Sequence, residues 1–321
     1  MIVIGVDIGG GSIKGGAVRD NGELLDKFAF KIDPNKSQED IILELADNIN
    51  SFVKSHHYDE PISGIGCGIP GIIDSKKGVV CSSANLRWVD LPIKELLEKQ
   101  TGLETRITND ANAAALGEAL YGIGKKYQSS VMLTLGTGVG GGVVVDGHLL
   151  EGNEGKGYEL GHMVIVIDGR LCGCGRKGCF EQYASATALV RETKHMMGAH
   201  PDSLMHKLAK EYGEVNGMVA FEAAKKHDIY AESVVNNYIK YLSEGILNYC
   251  NIFRPEAVIL SGGIANQKEY LTDRIKTYLE INNFGYYGNG IPKSEILIAS
   301  LGYDAGKIGA AALFYQKDFI K

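Results

Sequence analysis

The sequence has no excess of positive charge, no long apolar run and no low-complexity tract, and each absence removes a class of function. Its 33 lysines and arginines are outnumbered by 39 aspartates and glutamates, for a formal net charge of −6. Nucleic-acid binding would then rest on a local basic patch, and none is visible. No window approaches the roughly 20 unbroken apolar residues of a membrane-spanning helix. The opening Met1-Ile2-Val3-Ile4-Gly5-Val6-Asp7 has no basic stretch ahead of its apolar residues, unlike a secretory signal. A cytoplasmic location is expected. Six cysteines in that compartment are not expected to form disulfides, and Cys172, Cys174 and Cys179 crowd together in a way that points to metal. At 321 residues, 45% of them hydrophobic, the chain can bury a sizeable core, and two domains around a cleft are expected.

Two segments share one pattern. Residues 2–18 (IVIGVDIGGGSIKGGAV) and 130–145 (SVMLTLGTGVGGGVVV) each run as an apolar strand, a glycine-rich turn and a second strand-like stretch. Asp20-Asn21-Gly22 and Asp146-Gly147 follow them, dipeptide types that favour tight turns with positive φ, so each segment predicts an antiparallel pair closed by a further turn. A third strand, 257–261, ends in Gly262-Gly263. Residues 39–55 carry Ile41, Ile42, Leu45, Ile49 and Phe52 at helical spacing, 231–253 repeat the pattern more loosely, and 111–121 form an alanine-rich helix with Asn109 or Asp110 as its cap. Strands and helices in alternation indicate α/β layers.

Glycine lets the backbone approach an anion closely and aim N–H groups at it, so three glycine turns at strand ends suit a triphosphate. Any one of them can equally be a plain hairpin closure. A dinucleotide fingerprint needs a helix after its glycines, whereas Lys14-Gly15-Gly16-Ala17-Val18 reads as a strand. A Walker loop needs G-x-x-x-x-G-K-[S/T], and Gly302 to Lys307 has the wrong spacing and is followed by Ile308. Asp7, at a strand end, suits Mg²⁺ carried with a nucleotide, and it suits a turn as well. His162 with the three cysteines offers one imidazole and three thiolates, a set for structural Zn²⁺, with a redox pair or free thiols as the alternatives.

Taken together, Asp7-Ile8-Gly9-Gly10-Gly11-Ser12-Ile13-Lys14, Gly68-Ile69-Pro70-Gly71, Asn85-Leu86-Arg87-Trp88, Thr108-Asn109-Asp110, Leu135-Gly136-Thr137-Gly138, Glu159-Leu160-Gly161-His162, the cysteine cluster, Glu181, Ser261-Gly262-Gly263 and Leu301 to Gly306 run in one order over nearly the whole chain. The chain resembles the ROK family (repressors, open reading frames and kinases) of the actin-like ATPase superfamily. One departure is Gly11, where the family usually has threonine, so the phosphate-side hydroxyl is expected from Ser12 instead.

The resemblance implies an α/β fold of two actin-like (ribonuclease H-like) lobes around a central cleft, closing on sugar, with a zinc-bound loop. Residues 1–112 plus about 304–321 are expected in the smaller lobe and 113–303 in the larger, with a hinge after Asp110. It implies an ATP-dependent sugar kinase, glucokinase-like, working as a homodimer or homotetramer without nucleic acid or membrane. Asp110 matches the catalytic base; Gly71, Asn85, Asn109, Glu159, His162 and Glu181 match sugar contacts. Asp7, Gly9, Gly10, Gly11, Ser12, Lys14, Gly136, Thr137, Gly138, Gly262 and Gly263 fall at the ATP and Mg²⁺ site. On local sequence alone Asp110 also reads as a helix cap, and Glu159 and Glu181 as solvated surface charge. Glucose is the expected acceptor, with N-acetylmannosamine, N-acetylglucosamine, mannose, fructose and allose as alternatives. The rival of another class is a sugar-responsive transcriptional regulator. Such members carry a helix-turn-helix domain ahead of the first glycine turn, and with Asp7 so near the start none is expected here.

Overall fold

A computed structural model describes residues 1–282 and 293–316. Strand β1 (Ile2–Ile8) is paired antiparallel with β2 (Ser12–Arg19) and parallel with β4 (Ile62–Ile69) in a five-stranded sheet completed by β3 (Leu24–Lys31) and β8 (Thr105–Asn109), in the order β3-β2-β1-β4-β8. Period-two alternation sends Ile2, Ile4, Val6 and Ile8 into the core cluster that also holds Ile41, Ile42, Leu45, Ile49 and Phe52 of helix α1 (Gln38–Ser55). Each such side chain contributes about 1.5–3 kcal/mol when fully buried, so this stripe rather than intrinsic propensity holds α1 in place. Ser37 caps the helix by accepting the Asp40 N–H at 3.1 Å.

The other face of β1 presents Val3 and Gly5 to the C-terminal helix, and glycine decides how near that helix comes. A Cβ on Gly5 would stand 1.9 Å from the Lys307 carbonyl oxygen, and one on Gly66 would stand 1.9 Å from that of Ala310. The helix therefore lies directly on the backbone of β1 and β4. Helix α2 (Ile93–Thr101), α3 (Asp110–Leu120) and a three-stranded antiparallel sheet of β5 (Ile72–Asp74), β6 (Val79–Ser83) and β7 (Trp88–Leu91) complete this region. The short strands of that sheet have no counterpart among the sequence expectations.

A second five-stranded sheet runs β11-β10-β9-β12-β13, from β9 (Ser129–Leu135), β10 (Val139–Val145), β11 (His148–Leu150), β12 (Ala257–Ser261) and β13 (Glu295–Ile298). Asp146 and Gly147 have φ of 52° and 80°, the two positive values that a type I′ hairpin between β10 and β11 requires. Helices α4 (Glu181–Ala184), α5 (Ala186–Ala199), α6 (Met205–Tyr212), α7 (Gly217–Lys225), α8 (Ile229–Phe253) and α9 (Glu269–Asn282) follow, and α10 (Ala305–Ala312) is the C-terminal helix described above. Asp228 caps α8 by accepting the Tyr230 and Ala231 N–H groups at 3.0 and 2.9 Å.

The chain divides into two compact units. Residues 1–130, 142–158 and those from Ser300 onward form one, and 131–141 with 159–299 form the other. Residues 113–130 and 142–158 thus group with the N-terminal unit rather than with the 113–303 segment expected from sequence. The reason is packing: a Cβ on Gly309 of α10 would stand 1.6 Å from the Ala113 carbonyl oxygen, and one on Gly117 would stand 2.7 Å from that of Ala305, so α3 and α10 are in backbone contact. The expected terminal stretch to 321 runs past the described residues.

Candidate active site

In the first unit, the turn after β1 is closed by a hydrogen bond from the Gly9 N–H to the Ser12 carbonyl at 2.9 Å, and the Gly11 carbonyl accepts the Ile32 N–H at 3.1 Å. None of Gly9, Gly10 and Gly11 has a positive φ, so conformational freedom does not account for them. Nor does crowding: a Cβ on Gly11 would meet no atom within 4 Å, one on Gly10 would reach only the Cβ of Asn85, at 4.0 Å, and one on Gly9 would stand 3.4 Å from the Ser12 carbonyl oxygen. Exposed Asn85 therefore borders the turn. Asp7 lies opposite Lys14 in the β1–β2 register, and a Cβ on Gly306 would come within 2.9 Å of its Cγ. Burial pushes the Asp7 carboxyl above its ordinary range, against the opposing pull of Lys14 and then Lys307.

Asp110 is the first residue of α3, and the cap is its neighbour. The Asn109 side chain accepts the Ala111 N–H at 2.9 Å and donates from Nδ2 to the Gly71 carbonyl at 3.1 Å. Gly71 has φ of 121°, and a Cβ there would stand 2.2 Å from the Ser82 carbonyl oxygen. The Asp110 carboxylate accepts the Ala111 N–H at 2.9 Å through Oδ1, at the positive end of the α3 dipole.

In the second unit, the turn after β9 has its Gly136 N–H on the Gly138 carbonyl at 3.1 Å and its Gly136 carbonyl on the Ala186 N–H at 2.8 Å. Thr137 is exposed, and its carbonyl accepts the Thr187 hydroxyl at 2.7 Å. Gly136 and Gly263 share the openness of Gly11, with nothing within 4 Å of an added Cβ. Gly262 differs: its φ is 86° and a Cβ would stand 2.5 Å from the Leu135 carbonyl oxygen, so the backbone itself demands glycine there.

The ligand atoms of His162, Cys172, Cys174 and Cys179 all lie within 4.8 Å of one another. His162 Nδ1 is 3.6 Å from Cys172 Sγ, and Cys174 Sγ is 3.6 Å from Cys179 Sγ. Around a tetrahedral zinc, with metal–ligand bonds of about 2.0–2.3 Å, ligand atoms stand roughly 3.5–3.8 Å apart, so the donor set fits that ion in number and chemistry and these two pairs fit it in spacing. The loop is tied down on both sides of the cluster. Phe180 follows the last cysteine and packs edge-on against Tyr249 of α8 at 5.9 Å, while the Tyr249 hydroxyl donates to the Leu160 carbonyl. Glu181 stands between the cluster and the glycine turn: Oε2 accepts the Val139 N–H at 3.1 Å, and Oε1 lies 3.7 Å from Cys172 Sγ. The Glu159 carboxyl is raised by burial, with His162 opposing and Glu181 reinforcing, which places the three side chains in one electrostatic neighbourhood.

The family model described as ROK family matches residues 3–317. The chain belongs to the ROK family. It is 36% identical over 320 residues to a glucokinase of Thermotoga maritima, covering 98% of each protein. It is similar to the crystal structure of a ROK family glucokinase from Streptomyces griseus in complex with glucose and AMPPNP, with a TM-score of 0.78, 34% identity and coverage of 98% of this chain and 99% of that one. It is also 28% identical over 317 residues to a xylose repressor of Bacillus spizizenii, of which the match spans 77%.

Two acidic residues of this ROK protein received no role from the sequence, although Glu118 closes the motif that begins at Thr108. Glu118 is fully buried on α3 and accepts the Ser300 and Leu301 N–H groups at 2.8 and 2.6 Å, the Ser300 hydroxyl at 3.1 Å and the Ile123 N–H at 3.1 Å. A glutamate at a helical position among buried alanines was the available signal. Glu151, in the loop after β11, gave no signal at all. Among the described residues, no helix is long and apolar enough to cross a membrane.

Proposed function

We propose that this ROK protein transfers the γ-phosphoryl group of ATP to a hexose, with glucose as the acceptor and its 6-hydroxyl as the site. The observation that carries the reading is the placement of Asp110. Asn109 serves as the cap, and the Asp110 carboxylate stands beside it at the α3 N-terminus, where the helix dipole favours negative charge. A hexose hydroxyl is a weak nucleophile, and its proton needs a receiver as the phosphoryl group moves. Asp110 supplies that base.

Asn109 and Gly71, joined by their hydrogen bond, hold the adjoining sugar contacts with Asn85. When bound, zinc is closed off by its four protein ligands and supplies structure rather than chemistry. His162 then uses Nδ1 for the metal and keeps Nε2–H to donate to a sugar oxygen, while Glu159 and Glu181 accept sugar hydroxyls. Glu181 spends one lone pair on Val139 and retains others, since a carboxylate offers about four acceptor positions. On the nucleotide side, the open glycines Gly11, Gly136 and Gly263 admit phosphate oxygens, with Ser12 and Lys14 beside the first turn. Asp7 is the carboxylate for Mg²⁺, an ion commonly held by one or two carboxylates plus substrate phosphates.

The glucokinase relatives support glucose; discrimination among epimeric hexoses rests on pocket geometry. An assay coupled to ADP release over glucose, mannose, fructose, allose, N-acetylglucosamine and N-acetylmannosamine tests the reading. Glucose should give the highest kcat/KM. A higher value for another sugar would reassign the acceptor, and no ADP release with any hexose would remove the kinase reading.

A further inference from the structure

We propose that Glu151 is a positioning residue for phosphoryl transfer: it holds Thr108 and thereby sets the place of Asp110 two residues on, while Asn109 is held by its own hydrogen bond to Gly71. The inference rests on the kinase reading, in which Asp110 is the base.

Glu151 leaves the sheet one residue past β11 and turns its carboxylate onto two hydroxyls. Thr108 Oγ1 donates to Oε1 at 2.6 Å, and Ser75 Oγ donates to Oε2 at 3.1 Å. Thr108 is fully buried, so its hydroxyl has to be satisfied within the protein. Each oxygen of one carboxylate therefore grips a different element. Thr108 lies near the end of β8, two residues before Asp110, and Ser75 lies just past β5, four residues after Gly71. The Asn109–Gly71 hydrogen bond joins the same two segments, so β8 and the 71–75 segment are cross-linked twice, once directly and once through Glu151.

The loop that carries Glu151 is itself fixed. The Glu151 carbonyl accepts the Gly157 N–H at 2.8 Å, closing the loop on itself. Lys156 reaches buried Asp74 at 3.2 Å and Glu154 at 2.8 Å, and Asp74 also accepts the Lys77 N–H at 3.0 Å. A Cβ on Gly155 would stand 2.2 Å from Ser75 Oγ, so the loop is pressed against the Ser75 turn. Glu151 is thus a short strut with both ends anchored. Burial raises its carboxyl, with the Thr108 and Ser75 hydrogen bonds and Lys76 opposing, as expected for a charge kept under cover for its geometry. A strut two residues from a base bears on rate rather than on affinity, because small misplacements of reacting groups are costly: about 1 Å can cost on the order of a hundredfold.

The test is steady-state kinetics of Glu151→Ala, Glu151→Gln, Thr108→Val, Thr108→Ser and the Glu151→Ala/Thr108→Val double variant, with zinc content and melting temperature measured alongside. Glu151→Ala and Thr108→Val should each lower kcat by roughly tenfold or more while sugar and ATP KM stay within about twofold. Glu151→Gln and Thr108→Ser keep the acceptor and the hydroxyl and should restore most of the rate. The double variant should be no slower than the slower single one, because both remove the same contact. If Glu151→Ala does not fold, Thr108→Val against Thr108→Ser decides the matter. Wild-type kcat in Thr108→Val, additive losses in the double variant, or a loss confined to KM would overturn the proposal while leaving the kinase reading intact. A wild-type protein inert to every hexose, or an undiminished kcat in Asp110→Asn, would overturn the kinase reading and this proposal with it.

Discussion

Replacing Gly11, Gly136 and Gly263 one at a time by alanine separates glycine kept for folding from glycine kept for a ligand. At each of the three, an added Cβ meets nothing within 4 Å and φ is not positive, so the folded protein has no reason to reject a methyl group. Alanine also lowers the entropy of the unfolded chain, worth about 0.4–1 kcal/mol where the backbone is compatible. The ligand-free variants should therefore melt at or slightly above the wild-type temperature. A methyl group where a phosphate oxygen approaches should cost about 1–3 kcal/mol as an overpacking, or roughly 5- to 150-fold in ATP affinity. Gly262→Ala is the contrast, because φ of 86° and the Leu135 carbonyl at 2.5 Å predict a drop in melting temperature. The assay pairs thermal melts without nucleotide with ATP KM at saturating sugar. Loss of stability in the first three variants, or an unchanged ATP KM in all of them, would refute the argument.

Asp110→Asn should abolish turnover while sparing sugar affinity, because the amide keeps the shape but cannot take the proton; kcat and sugar KM measured side by side check this. Purified protein should contain about one zinc per chain, and chelation should raise sugar KM and lower melting temperature together, which elemental analysis with kinetics will show. Asp7→Asn should raise the melting temperature at neutral pH while weakening Mg²⁺-ATP binding. The folded-state pKa of Asp7 lies above its ordinary value of 3.8, so this carboxyl's contribution to stability is fully present below 3.8 and is lost as pH rises through the raised value. The gain from asparagine should accordingly disappear in melts below that pH.

Local chemistry made much of this molecule legible from sequence. The apolar stripe of α1, the Asp146-Gly147 hairpin and the close spacing of Cys172, Cys174 and Cys179 each depend on residues a few positions apart. At Gly9 to Gly11 glycine was expected both to let an anion approach closely and for its free positive φ, and none of the three has a positive φ. What stayed hidden depends on distant partners. Glu151 meets Thr108 across 43 positions, and Gly5 makes room for the carbonyl of Lys307 at the far end of the chain. Neither glutamate nor glycine carries a mark of such a partner until the sheet has brought them together. The choice between Asn109 and Asp110 as cap was likewise open, since either side chain can accept an N–H at that position. Backbone geometry assigned it to Asn109.

In the proposed reaction the γ-phosphoryl group of ATP ends on a hexose hydroxyl while Asp110 takes that hydroxyl's proton. The most direct test follows the phosphoryl group itself: wild type and Asp110→Asn are incubated with Mg²⁺, glucose and ATP carrying heavy oxygen on its γ-phosphoryl group, and the labelled product is identified by NMR and mass spectrometry. The account predicts label in glucose 6-phosphate with the wild type and none with Asp110→Asn. Label released only as inorganic phosphate, or an equal yield of sugar phosphate from both proteins, would contradict it.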